Sequence, residues 1–574
     1  MDLWVSTNGG GLLAAAVLLP FFAMLLGLCL GGRWLQRVAF ATMALGLALA
    51  LGIAASWANA TGPLVYLLGG WSPPLGIALR ADGPAVAMLV AVAGVVCGIG
   101  LFARADFGSP PDAKESRTAF AYWLLLLAVW GALNLVFVSG DLFTLYVALE
   151  LLTFAGVPLV CLAGSGETLR AALRYMLFAL CGSVLYLLGA VLLYGGYGTL
   201  DIPLLAASVQ PEPIARAALA LMTVGLLAKT ALFPLHIWLP PAHGGAPAAA
   251  SAVLSALVIK GSWFLVLRLW FDAMPGVATA AAAQLLAGLG AAAIIVGSVV
   301  ALRQQRLKLL VAYSTVAQIG YLFLLFPMAF DAEGRMALAD LAQTAGLLQA
   351  IAHATAKAGM FMAAGLVYAA LGHDRIDDLA GAARALPLAV AAFLIGGLAL
   401  MGVLPSGAYL AKKLLLSAAD ESGQWGWTLV LQGGAAFTAA YVVLIALRVL
   451  RRPATPVACK PVSMLSQLAA LGLALASLAL SLAAAIGPLP AELITNPLAP
   501  KELGTTLVTF AVGALLAAAL ARRPLFDRAP SGAPARGGPG VWFERGDRQV
   551  REWPTAMLAL LLVAAASGWL LVRA

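Results

Sequence analysis

Runs of roughly 20 apolar residues recur along this chain between short polar breaks, and no other feature restricts its fold so tightly, because that is the length needed to cross a bilayer as a helix. The 574 residues are 63% hydrophobic and only 10% charged, whereas a soluble domain carries roughly 25% charged residues. Single hydrophobic cores stop growing near 250–300 residues, so the excess apolar surface must face lipid. The chain therefore reads as an all-α polytopic membrane protein with roughly 16 spans. They are expected near 10–31, 37–57, 83–103, 118–138, 142–164, 169–194, 214–239, 247–271, 276–302, 307–328, 341–370, 385–420 (broken at Pro405), 426–447, 463–487, 503–521 and 554–572. The stretch from Leu12 to Leu30 has no basic segment before it and is expected to be a retained span rather than a signal peptide. Residues 59–82, rich in Gly and Pro, read as an extracytoplasmic loop with a hairpin. Residues 522–553 read as a basic soluble linker, flexible around SGAPARGGPG, that leads to a last helix.

Orientation follows from the basic side chains, since cytoplasmic loops hold the excess of Lys and Arg. Connections after odd-numbered spans hold most of them, from Arg33 and Arg37 to Arg451, Arg452 and Arg545. The opposite side holds Arg80, Arg216, Arg268, Arg335, Lys501 and Arg573. The N-terminus is expected outside, in a cell (inner) membrane. The net charge of +9 then belongs to cytoplasmic loops and not to a nucleic-acid footprint. The five cysteines are scattered without a CxxC pair, and there is no Walker motif and no dinucleotide fingerprint. No metal, iron–sulfur cluster, nucleotide or other cofactor is expected.

Once the loops have taken their share of the 34 basic residues, those left inside apolar spans are Lys229, Lys260, Lys357, Lys412 and Lys413, with no arginine among them. An ionisable group near the bilayer centre costs about 2.5–3.5 kcal/mol even on the mildest scale. Arginine does not release its proton, whereas a lysine taken out of water does so readily. Five lysines therefore suit a path that loads and unloads protons. Snorkelling to an interface is the competing reading, strongest for Lys357, Lys412 and Lys413. Among the 25 acidic residues, Glu150 in DLFTLYVALELLTFAG lies deep in a span. Unpaired it would be costly, so it is expected to face a lysine or water. Glu150 and Lys229 can work as a switch: proximity holds the proton on the lysine, and separation lets it go. A purely structural ion pair is the alternative.

Two spans read as broken. Lys229 precedes Pro234 in GLLAKTALFPLHIWLPPAHGGAP, and Pro405 precedes Lys412 in GVLPSGAYLAKKLLL. Proline frees a backbone carbonyl, which a membrane tolerates only where it faces protein or a wet cavity. The breaks fall five spans apart, and an odd shift inverts topology, as in transporter repeats. His236 and His353 lie in or beside spans and suit proton relay, with His243 in the connection after the first break. Each can equally be a satisfied core histidine. His373, in the charged loop GHDRIDDLAG, reads as surface.

These residues resemble a known family. The segment AKTALFPLHIWLPPAHGGAPAAASAVLSALVIKG, with DLFTLYVALELLTF, LKLLVAYSTVAQIGY, HATAKAGMFMAAGLVY and PSGAYLAKKLLL, is similar to the antiporter-like subunits of respiratory complex I, membrane-bound hydrogenases and Mrp-type multisubunit antiporters. GGWSPPLGIALRADG looks closest to the D-type subunit of the last. The resemblance implies a core of about 14 helices with two inverted five-helix repeats and broken helices 7 and 12. It divides the chain into N-terminal spans (1–117), first repeat (118–271), second repeat (276–450) and C-terminal spans (463–574), the last adding about two helices. It assigns a proton path to Glu150, Lys229, Lys260 and Lys412, with His353 and Lys357 as polar positions of helix 11. LPSGAYLAKK departs from the family pattern, so Lys412 and Lys413 compete as the terminal lysine.

The function expected is a proton-translocating subunit of a multisubunit membrane complex, driven by redox chemistry or cation exchange in partner subunits. Whether it serves an NADH:quinone oxidoreductase or hydrogenase-type translocase stays open. The alternatives are a D-type subunit of a Na⁺/H⁺ antiporter without electron transfer, and a structural membrane scaffold. The partners expected are other membrane subunits, lipid, protons and, as a second ion, Na⁺.

Overall fold

A computed structural model of the chain describes residues 5–108, 116–453, 459–484, 500–522 and 539–573. In chain order the helices are α1 (Gly11–Leu30), α2 (Gly32–Ala58), α3 (Gly83–Ala103), α4 (Arg117–Val138), α5 (Leu142–Cys161), α6 (Gly166–Tyr197), α7 (Ile202–Ser208), α8 (Pro213–Thr230) and α9 (Leu239–Gly245). Next come α10 (Ala248–Val253), α11 (Ile259–Leu267), α12 (Ala280–Leu302), α13 (Leu307–Tyr321), α14 (Leu325–Met328), α15 (Ala339–Leu371), α16 (Ala382–Ala385) and α17 (Pro387–Met401). The rest are α18 (Gly407–Glu421), α19 (Trp425–Val449), α20 (Met464–Ala484), α21 (Pro500–Arg522), α22 (Pro539–Val550) and α23 (Trp553–Arg573). Among the described residues, 14 helices are long and apolar enough to cross a membrane, and two shorter apolar ones, Pro387–Met401 and Thr506–Ala519, accompany them. The protein is a multi-pass membrane protein whose spans are helical.

The loop at 59–82 contains a two-stranded antiparallel hairpin, β1 (Leu64–Leu67) with β2 (Ala78–Ala81), in the register Leu64↔Ala81 to Leu67↔Ala78. The Gly- and Pro-rich centre of the linker, 523–538, lies outside the described residues, and after it Pro539–Val550 forms the helix α22. In α22 polar Glu544 and Asp547 are three residues apart and share one face, and Arg551 follows just past the helix end.

The chain divides into two compact units. The first holds Met1–Thr230, Gly245–Ala282 and Leu560–Ala574; the second holds Ala231–Gly244 and Ala283–Ala559. Within the first, the apolar window of the span Ala248–Ala273 is wholly buried, whereas only 33% of that of α1 is, so the former is core and the latter presents an open apolar face. Leu18 and Phe22 are among its exposed side chains. Side chains close three helix starts: Asp82 accepts from the Ala85 N–H, Asp141 from Thr144 and Ser165 from Thr168.

Asp82 also receives both terminal nitrogens of Arg268, at 2.5 and 2.7 Å, tying the far end of Ala248–Ala273 to the start of α3. Burial would push the Asp82 carboxyl up, but the Arg268 guanidinium overrides it and holds the group below the usual carboxylate range. A depressed carboxylate stabilises the fold above its unfolded-state value, near ~4, and that contribution is lost as pH falls through the lower folded value. Thermal unfolding in detergent should show the wild type more stable than Asp82→Asn at neutral pH. The gap should close once the pH passes below about 4.

Candidate functional site

In the first unit, α6 and α8 meet backbone to backbone. A Cβ on Gly182 would lie 2.6 Å from the Gly225 carbonyl oxygen and 3.4 Å from Cγ of Lys229, so small residues let the helices close and set where the lysine emerges. Lys229, one turn after Gly225, donates from Nζ to Oε1 of Glu150 at 3.2 Å and to the Thr153 hydroxyl at 2.9 Å. Glu150 and Thr153 stand three residues apart on α5, one face of one helix. The Ser183 hydroxyl of α6 donates to the same Glu150 oxygen. Only 5% of the lysine side chain is exposed. A charge so enclosed is tolerable because it is paired and hydrogen-bonded.

The helix stops directly after this lysine. Thr230 ends α8, its hydroxyl donating to the Leu226 carbonyl (2.7 Å) and pairing with the Ser262 hydroxyl (2.9 Å). The next residue, Ala231, has φ 59°, left-handed backbone that a side chain rarely adopts. Residues 231–238 then run without regular helix until α9.

Lys260 is fully buried at the start of α11. The span that carries it is not one regular helix: π-helical turns occupy Leu254–Val258 and Arg268–Ala273. The wider turn shifts the carbonyl ladder, and Lys260 Nζ donates to the Ser255 carbonyl at 2.5 Å.

In the second unit, Lys357 of α15 donates to the Val311 carbonyl at 3.3 Å and to the Ser314 hydroxyl, both of α13. His353 lies one turn earlier on α15 and is fully buried. One turn before that, Gln349 donates to Gln318 (3.1 Å), which in turn donates to Thr438 of α19 (3.3 Å). Sequence reasoning missed this pair, although the signal was present: Gln349, His353 and Lys357 are spaced by four and share a helical face. It also left Lys308 out of the lysines counted inside spans. Lys308 is buried in the first turn of α13, where its backbone N–H donates to Asp374, itself paired to Arg306 at 2.9 Å.

The second break separates α17 from α18. Gly402 closes α17 in left-handed backbone, φ 81°. Ser406 opens α18 by accepting from the Tyr409 N–H at 3.1 Å. One turn on, Lys412 donates to Oε1 of Gln432 on α19 at 2.8 Å. A cavity of about 250 Å³ adjoins it, lined by Tyr409, Lys412, Lys413, Asp420, Gln432 and Thr509 among others. That is room and polarity enough for several waters. Lys413 shares the cavity wall.

His236, expected as a relay, meets a carboxylate: its Nε2 is 2.8 Å from Asp547 of α22. His243 stacks on Phe361, ring centroids 4.7 Å apart.

The family model described as NADH:quinone oxidoreductase/Mrp antiporter, transmembrane, matches residues 139–438. The chain belongs to this family. The N subunit of the NADH-quinone oxidoreductase of Desulforudis audaxviator (strain MP104C) is 33% identical over 437 residues, covering 74% of this chain and 83% of the relative. The D subunit of the Na(+)/H(+) antiporter of Alkalihalophilus pseudofirmus is 30% identical over 367 residues, 62% of this chain and 70% of the relative. A chain in the structure of the Mrp complex from Dietzia sp. DQ12-45-1b shares the fold, with a TM-score of 0.73 at 22% identity over 90% of this chain and 100% of that one. The family segment contains Glu150, Lys229, His236, Lys260, His353, Lys357 and Lys412; it ends well before Asp547.

Proposed function

We propose that this chain is a proton-translocating, antiporter-like subunit of a multisubunit membrane complex. Protons pass through buried Glu, Lys and His groups in both units, and partner subunits supply the drive through redox chemistry or cation exchange. The observation that carries the reading is the enclosed Glu150–Lys229 pair, hydrogen-bonded to Thr153 and Ser183, beside a break in its own helix. Glu150 sets whether Lys229 holds its proton. Lys260, Lys357 with His353, and Lys412 at its cavity are the further stations. The two broken helices lie in segments, 118–271 and 276–450, that we read as repeats of opposite orientation. The basic loops favour an N-terminus outside, in a cell inner membrane.

Reconstitution of the assembled complex in liposomes with an internal pH dye tests this. Glu150→Gln keeps a hydrogen-bonding group beside Lys229 but removes the charge that holds its proton. Flux should fall roughly tenfold, less than the 10²–10⁴ of a group that itself transfers the proton. Assembly should stay normal. Lost assembly with unchanged flux per assembled complex would favour the scaffold. The second reading, a D-type antiporter subunit without electron transfer, draws on the antiporter relative above. It is distinguished by a flux that an imposed Na⁺ gradient drives with no electron donor present.

A further inference from the structure

The C-terminal extension does more than anchor the chain. Helix α22, part of the second unit, carries Glu544 and Asp547, and Arg551 follows just past its end on the same side. Glu544 receives Arg303 at 2.9 Å, from the end of α12. Trp542, on the opposite side, is 73% exposed. Asp547 points inward and is almost wholly buried. Its carboxylate faces Nε2 of His236 (2.8 Å), accepts from the Tyr313 hydroxyl of α13 (2.8 Å) and accepts from Nε of Arg551 (2.9 Å).

Three donors converge on one buried carboxylate, which keeps it ionised. Burial alone would push Asp547 up, but the His236 bond, Arg551 and Tyr313 together hold it below the usual carboxylate range. Such a group does not carry the proton itself. It holds an imidazole in one tautomer and stabilises its charged form, the part played by the aspartate of a catalytic triad. The other ring nitrogen, Nδ1 of His236, is buried and has no partner among the described residues. The ring therefore has one nitrogen fixed by Asp547 and one free to exchange a proton.

We propose that Asp547 is the positioning carboxylate of His236, so that α22, outside the family-matched segment, completes a His–Asp–Tyr proton-exchange site in the second unit. The inference rests on the proton-transport reading above. A proton taken up at Nδ1 gives an imidazolium whose Nε2–H stays on Asp547; loss of the proton from Nδ1 restores the neutral ring, and nothing else changes. The charged and titratable groups around the ring are Asp547 and Tyr313, with Arg551, Glu544 and Arg303 behind them.

The test is the pH profile of proton flux in liposomes holding the whole complex. Asp547→Asn removes the charge that supports the imidazolium. The alkaline limb of the profile should move to lower pH. Asp547→Glu should restore most of it. Tyr313→Phe removes one donor from the carboxylate and leaves it a stronger base, so the limb should move the opposite way, by roughly half a unit. A purely structural latch lowers the amplitude of flux and leaves the limb in place in all three variants, and that result overturns the proposal. If Asp547→Asn does not assemble, the sign of the Tyr313→Phe shift decides alone, and no shift or a shift to lower pH overturns it. Wild-type complex that moves no protons would sink the proton-transport reading, a different failure from an unmoved limb with normal wild-type flux.

Discussion

A chain with arginine in place of Lys229 should keep its ion pair with Glu150 and lose proton translocation. Arginine preserves the positive charge, and its donors reach the same carboxylate and the Thr153 hydroxyl, but it does not give up its proton. Lys229→Gln makes the opposite change, keeping a neutral donor and removing the charge. If the lysine serves only to glue α5 to α8, arginine should work and glutamine should weaken assembly. If it carries the proton, both variants assemble and both lose flux by about 100-fold, the lower end of what a positioned proton-transfer group supplies. Dye-monitored flux in liposomes, scaled to assembled complex by size-exclusion chromatography, separates the two. Normal flux in the arginine variant would remove Lys229 from the path.

The second large effect is on the fold that holds this lysine. At the α6–α8 contact, a Cβ on Gly225 would lie 3.0 Å from the Tyr186 backbone nitrogen and closer still to the Gly182 carbonyl oxygen. Both neighbours are backbone, so neither can turn aside as a side chain would. Gly225→Ala should cost about 1–3 kcal/mol, the usual range for overpacking. Gly225→Leu should prevent the helices from closing and leave little folded protein. The alanine variant is the more informative, because a slight separation of α6 from α8 also moves Lys229 away from Glu150 and Ser183. Its melting temperature in detergent should fall, and its flux should fall further than the loss of folded protein explains. Wild-type stability in Gly225→Leu would mean that the two backbones are not in contact.

What the sequence disclosed and what it hid follow from one physical distinction. Glu150 and Lys229 were legible because a charge in a 20-residue apolar run is expensive wherever the run ends up. The breaks near Pro234 and Pro405 were legible because proline lacks a donor whatever surrounds it. Such costs are local, and the hairpin at Leu64–Leu67 and Ala78–Ala81 is likewise announced by its own glycines and prolines. Lys308 was hidden because only three-dimensional packing distinguishes a basic residue at the first turn of a span from one in the loop before it. The π-helical turns flanking Lys260 left no mark, since Leu254–Val258 is ordinary apolar sequence. Asp547 was the most thoroughly disguised. It sits among arginines and glycines in a segment that reads as solvated linker, and its partner His236 is 311 positions away. A carboxylate whose meaning depends on so distant a contact cannot be recognised from its neighbours.

The two interruptions also differ as mechanical elements. The first passes through Ala231 in left-handed backbone, where a side chain makes the well shallow and narrow; the second passes through Gly402, for which the same region is ordinary. An L-residue held there costs about 1–2 kcal/mol and persists only while its surroundings enforce it. The joint beside Lys229 is thus a loaded one, with a preferred direction of release. The joint before Lys412 carries no such cost, because glycine adopts the same backbone region without a Cβ clash.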